Sequence, residues 1–287
     1  MADRPLKDAN FVFFGGSAGI GQAAALEIGR RGGNVLIVGR GRDAGEATAT
    51  KARALGAASA DFLQADLSTI AGMASAADGV RAWKPVLHGV THTAMAAFRG
   101  KQMTSDGLEF AFALQYLARA VLNRQLADAL SASGDGRIVH IAGNVPESLM
   151  PDLEDLQFEK HKWGFFKAAL GPHLLGFLHL QEAQKLWSGR PITLTACCVG
   201  NTRTKAMSDP AMPLFMRLMG RLGTTPEQSA KNAVRVLTQE SADDAKGAIL
   251  KDPKVYAPEP LDMDPAKAAR LWALTTQLAQ DRGVDLA

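Results

Sequence analysis

A chain of 287 residues is long enough for one large α/β domain or two small ones, with ample core. Its hydrophobic and charged fractions, 47% and 21%, are ordinary for a globular protein, and scattered basic residues summing to +3 give no nucleic-acid footprint. No apolar run reaches a membrane span and Met1-Ala2-Asp3-Arg4 opens no signal peptide, so a cytoplasmic protein is expected.

Short β-branched runs alternate with longer amphipathic ones. Strands are predicted at 11–14, 34–38, 61–64, 86–91, 137–141 and 192–198, and helices at 20–31, 43–55, 68–82, 105–131 and 173–188. Strands separated by helices of this length require crossover connections, which predicts a doubly wound parallel α/β sheet covered on both faces, a Rossmann-type fold. Nothing along the chain marks a linker, so 1–287 is read as one domain, with a nucleotide-binding half at 8–100 and a substrate-side half at 101–287. Cys197 and Cys198, adjacent on a strand, point to opposite faces and read as buried thiols. No metal site is predicted. Between Pro210/Pro213 and Pro226, Met207, Met212, Met216 and Met219 stand among Leu214, Phe215, Leu218 and Leu222. This segment follows a strand's carboxyl end, where such folds bind ligands. It reads as an apolar lid near 205–226, with a packed core helix as the alternative.

The first strand breaks into Gly15-Gly16-Ser17-Ala18-Gly19-Ile20-Gly21 before a helix begins. Glycines there make a tight turn and let the backbone approach a diphosphate at the helix N-terminus, whose amides and dipole favour an anion. In this strand–helix context the cluster predicts dinucleotide binding. At the end of the second strand a carboxylate would chelate ribose hydroxyls, but the chain has Gly39-Arg40-Gly41-Arg42. A guanidinium suits a 2′-phosphate, which favours NADP(H) over NAD(H); the alternative is two solvated loop arginines.

The spacing Gly15-xxx-Gly19-Ile20-Gly21 resembles the cofactor motif of the short-chain dehydrogenase/reductase family, and Asp66-Leu67 is similar to its adenine-contacting pair. The stretch TSDGLEFAFALQYLARAVLNRQLADAL (104–130) and APEPLDMDPAKAARLWALTTQLA near the C-terminus resemble its retinol-dehydrogenase-like branch. The resemblance implies cofactor contacts at Gly15, Ser17, Gly19, Ile20, Gly21, Arg40, Asp66, Leu67, Thr93, His173 and Thr204. It also implies a homodimer through helices 105–131 and 173–188.

The family's catalysis rests on a tyrosine, a lysine four residues later, a serine and an asparagine. Aligned by neighbours, Gly143 stands at the serine, Ala169 at the tyrosine, His173 at the lysine and Gln115 at the asparagine. His92-Thr93-Ala94-Met95 replaces Asn-Asn-Ala-Gly, and Val199-Gly200 replaces Pro-Gly. Neither tyrosine, Tyr116 or Tyr256, has a lysine four residues on. Trp163 and Phe158 precede Lys167 and Lys162 at that spacing, but their rings carry no titratable proton. Pro172 predicts that the helix carrying these positions kinks or restarts there. His173, which titrates near neutrality in water, and Gln115 are the candidate catalytic residues, His173 alternatively holding only the ribose.

Three functions follow. One is an NADP(H)-dependent oxidoreductase acting on a hydrophobic small molecule with an atypical proton route. Another is a non-redox isomerase or cyclase on the same scaffold. The third is a catalytically silent NADP(H)-binding partner.

Overall fold

The computed structural model describes residues 4–96, 99–239 and 241–286. Eight strands form one sheet: β1 (Asn10–Phe14), β2 (Asn34–Gly39), β3 (Ser59–Gln64), β4 (Gly89–His92), β5 (Gly136–Gly143), β6 (Ile192–Val199), β7 (Ala248–Leu250) and β8 (Pro258–Pro260). Their order is β3-β2-β1-β4-β5-β6-β7-β8, parallel as far as β7, with β8 antiparallel at the edge. All six predicted strands form. The three-residue β7 and the proline-flanked β8 were not anticipated; neither is long enough to show a period, and proline is tolerated in a strand only at an edge such as this.

Alternation along the strands divides the core into two layers. Phe11, Phe13, Val35, Ile37, Val139 and Cys197 pack with α1 (Gly19–Arg30), α2 (Arg42–Ala54) and α10 (Pro226–Thr238). Val12, Phe14, Val90, Ile138 and Cys198 pack on the other side with α3 (Ile70–Trp83), α5 (Ala118–Gln125), α7 (Phe165–Leu186) and α11 (Pro265–Gln280). The two cysteines are buried on opposite faces, as their adjacency requires.

Three expectations are corrected. The helix predicted at 105–131 begins later, because Gly107 turns at φ 72° and the Glu109 carboxylate caps the Phe112 amide. It is also segmented: α4 (Phe110–Phe112), a π-helical turn (Ala113–Leu117), α5, and α6 (Ala127–Ser131). Pro172 does not interrupt its helix; α7 runs unbroken from Phe165 to Leu186. Tertiary packing overrides the lost backbone hydrogen bond, for Gly171 lies so close to Pro151 that a Cβ there would come within 2.7 Å of its ring. Lastly, the face proposed for a dimer is covered by this chain's own α11. Tyr116 Oη lies 2.5 Å from Thr275 Oγ1, and the Trp272 ring stacks on His179 at 5.1 Å.

The segment read as a lid folds into α8 (Lys205–Ser208) and α9 (Leu214–Arg221). Met212 is buried and Met207 and Met216 are half-buried, whereas Leu214, Phe215, Leu218, Met219 and Leu222 are exposed.

Candidate active site

The parallel strands all end on one edge, and the candidate residues gather there. Gly15 turns the chain after β1 at φ 89°, and a Cβ would sit 2.5 Å from the Ala94 amide nitrogen. Gly21 is tighter, its absent Cβ falling 2.3 Å from Thr93 Oγ1 and 2.6 Å from the Gly15 carbonyl oxygen. Thr93 is held by its amide and hydroxyl, both donating to the Phe14 carbonyl at 2.8 and 3.0 Å. Gly19, at φ 58°, faces the Thr204 methyl, while Thr204 Oγ1 caps the Met207 amide of α8. Gly15, Gly19, Gly21, Thr93 and Thr204 therefore form one cradle.

Helix α1 opens on that cradle without a side-chain cap, since Ala18 has no acceptor to offer. The Gly19, Ile20 and Gly21 amides have no acceptor within the helix and, with the helix dipole, present a site for an anion. By contrast, Thr69, Thr204, Thr225 and Asp264 cap α3, α8, α10 and α11. The residues present fit the diphosphate of a dinucleotide. Ser17 is half-buried at the head of the turn, its carbonyl taken by Gln22 Nε2 and Thr48 Oγ1 at 3.4 Å.

Two further predicted cofactor positions lie at the ends of β2 and β3. Arg40 is exposed and makes no ion pair among the described residues; its guanidinium lies 5.9 Å from the Phe110 ring centroid. Arg42 instead donates to Gln64 Oε1 at 2.9 Å and lies 3.9 Å from Glu46. Helix α2 begins behind Gly41, again without a side-chain cap. Asp66 Oδ1 accepts from the Ser68 amide and hydroxyl at 3.0 and 2.7 Å, which fixes this turn, and Leu67 is buried.

Gly143 and His173 meet across β5 and α7: the Gly143 amide donates to His173 Nδ1 at 2.7 Å. An accepting Nδ1 places the proton of the neutral ring on Nε2, which is buried and has no partner among the described residues. Burial first, then the Arg119 charge, lower the His173 pKa to about 3. His173 is therefore a neutral donor, and the expectation of a group titrating near neutrality is corrected. Ala169 lies four residues earlier on the same face of α7 and is buried. Gln115 is buried inside the π-helical turn; its Nε2 donates to the Ala96 carbonyl at 3.0 Å, and its Oε1 has no partner among the described residues.

Sequence reasoning missed the polar layer behind these residues. Arg119 Nη1 donates to the Ile141 carbonyl at 2.9 Å. His92 Nε2 lies 2.8 Å from Asn123 Oδ1, and Asn123 Nδ2 lies 2.9 Å from His140 Nε2. A signal was present: Arg119 interrupts the apolar run from Tyr116 to Leu122, and Asn123 follows four residues on, on the same helix face. Among the described residues no group of three or more potential ligands could hold a metal ion.

The short chain dehydrogenase family model matches residues 10–151, which carry Gly15, Gly19, Gly21 and Thr93 of the cradle, the Arg40 turn and Gly143. Human retinol dehydrogenase 13 is 26% identical over 93% of this chain and 83% of its own length. Polyprenol dehydrogenase of Mus musculus is 26% identical over 96% and 84%. A short chain dehydrogenase from Burkholderia cenocepacia, solved in complex with NADP, superposes with a TM-score of 0.71 at 20% identity, covering 88% of this chain and 98% of that one. The chain belongs to the short-chain dehydrogenase/reductase family of oxidoreductases, in its retinol-dehydrogenase-like branch.

Proposed function

We propose that this protein binds NADP(H) and acts as an oxidoreductase on a hydrophobic small molecule without a tyrosine proton donor. The observation that carries the reading is the uncapped start of α1 at the glycine cradle, with the exposed Arg40, which makes no ion pair among the described residues, beside the uncapped start of α2. The diphosphate would lie on the Gly19, Ile20 and Gly21 amides, and the 2′-phosphate against Arg40. When bound, the reduced cofactor supplies a hydride. His173 supplies a neutral Nε2–H donor that can hold a ribose or carbonyl oxygen but has no charge to give up near neutral pH. Bulk water is then the source of any proton that product formation consumes. The methionines on the inner side of the lid segment, Met207, Met212 and Met216, offer adaptable apolar contact to the substrate. Retinol and polyprenol, named in the relatives, are apolar molecules of this kind.

One observation favours a second reading, a non-redox enzyme or a silent NADP(H) binder. Gly143 and Ala169 bring no hydroxyl to the site, and Gly143 spends its amide on His173. Titration calorimetry tests the cofactor reading directly. NADPH should bind at least tenfold more tightly than NADH, and Arg40→Asp should reverse that order. Equal affinities would remove the 2′-phosphate role, and no heat from either nucleotide would remove the cofactor. A substrate screen against apolar ketones and aldehydes, with NADPH bound, separates turnover from silent binding.

A further inference from the structure

Helix α9 is built inside out. On a surface helix the apolar stripe ordinarily faces the core, but here Leu214, Phe215, Leu218, Met219 and Leu222 are between 42 and 85% exposed. Their spacing (i, i+1, i+4, i+5, i+8) places all five on one side of the helix. The opposite side meets the protein through Gly220, whose absent Cβ would lie 3.0 Å from Met207 Cβ. A cluster of exposed large apolar side chains calls for a covering partner.

Charge indicates which partner. Between Val199 and Thr225 the chain carries Arg203, Lys205, Arg217 and Arg221 against the single acid Asp209. None of the four cations makes an ion pair among the described residues. Some basic side chains elsewhere do find acids, as Arg190 with Asp128 and Arg270 with Glu154. Five apolar side chains on one short helix fall well below the roughly 20–30 residues a side of a stable protein interface. An apolar ridge on a helix that also carries Arg217 and Arg221 is instead the pattern of a helix lying in a membrane surface, its side chains sunk to the acyl boundary and its cations among headgroups. The rest of the chain is compatible with this, because no helix among the described residues is long and apolar enough to cross a membrane.

We propose that the outer face of α9 docks on the surface of an anionic lipid bilayer. Docking would hold the lid segment, and the strand ends beneath it, at the source of an apolar substrate. The contact itself does not depend on hydride transfer or on nucleotide binding.

The test is co-sedimentation of the full chain with vesicles of phosphatidylcholine alone or mixed with an equal part of phosphatidylglycerol. The chain should partition onto the anionic vesicles about tenfold or more above the neutral ones at low salt, and lose most of that preference at high salt. Phe215→Glu with Leu218→Glu should abolish partitioning while thermal unfolding and NADPH affinity stay at the parent's values. Arg217→Gln with Arg221→Gln should retain the fold and weaken only anionic binding. Failure to sediment with either vesicle overturns the proposal, as does unchanged sedimentation of the glutamate variant. Self-association of the parent that the glutamate variant abolishes, without vesicle binding, assigns the face to a second copy and overturns it too. NADPH affinity, read separately, reports on the cofactor reading alone.

Discussion

The Gly143 amide donates to Nδ1 of His173 at 2.7 Å, joining the end of β5 to the middle of α7. One hydrogen bond sets the ring's tautomer, and its burial keeps the ring neutral. Imidazole nitrogen and carboxamide shifts in an NMR titration should therefore show His173 protonated on Nε2 and unchanged between about pH 5 and pH 8. His173→Ala leaves the Gly143 amide without its acceptor, at a cost of about 1–3 kcal/mol in unfolding free energy. A His173 resonance that titrates near its ordinary value would overturn this account of the site.

Four buried histidines predict a particular acid response. Burial lowers His92, His173 and His179 to about 3 and His140 well below its ordinary value. The unfolded chain takes up these protons near pH 6.5, and the folded chain resists them. Their stabilising contribution is thus complete above about pH 6.5 and is lost as pH falls toward about 3. Each contributes a slope of up to about 1.4 kcal/mol per pH unit. Urea midpoints followed from pH 7 to pH 4.5 should fall steeply, and less steeply in His179→Phe, which keeps the ring stack on Trp272 without a titrating group. A flat profile across that window would mean the histidines are hydrated.

How much of this could be read from the residues depends on how local the cause is. The glycine cradle was legible because a strand, a glycine cluster and a helix follow one another within eleven residues, 11–21. The six longer strands were legible from short β-branched runs alternating with longer amphipathic ones. Pro172 misled because helix propensity is a local argument, whereas the packing of Gly171 against Pro151 is not. His173 looked like a titrating group because nothing in its neighbours foretells Gly143, thirty residues earlier, as its partner. Helix α10 was missed although Thr225-Pro226-Glu227-Gln228 offers a cap and a proline at the first turn.

Steric geometry ranks the glycines. Gly21→Ala would drive a methyl against Thr93 Oγ1 and the Gly15 carbonyl, so the cradle must open. NADPH affinity should fall by about tenfold or more, with a thermal midpoint several degrees lower. Gly143→Ser meets only ordinary contacts, the nearest being His173 Nδ1 at 3.5 Å from the new Cβ. It should fold as the parent does, and with Ala169→Tyr and His173→Lys it restores the family's serine, tyrosine and lysine, the last two on an unbroken helix. Calorimetry and a ketone-reduction assay on these variants check both halves. A Gly21→Ala protein that binds NADPH normally would place the cofactor elsewhere.

Helix α11 decides what the α5/α7 face does. Ala268, Leu271, Thr275 and Ala279 turn one side of it inward. Arg124 clamps it, donating to Thr276 Oγ1 at 2.7 Å with its guanidinium 4.3 Å from the Trp272 ring centroid. Gln181 Nε2 anchors the approach by donating to the Met263 carbonyl at 2.7 Å. A partner chain cannot use a face already occupied in this way. Cross-linking with mass spectrometry should find no intermolecular pair between α5 and α7, whatever mass sedimentation gives. Leu271→Ala removes a fully buried side chain and should cost about 2–5 kcal/mol in unfolding free energy. If α11 detaches before the rest unfolds, the newly exposed apolar face should drive association in that variant, visible as a concentration-dependent mass. A wild-type dimer cross-linked through α5 and α7 would show that α11 does not cover the face in solution.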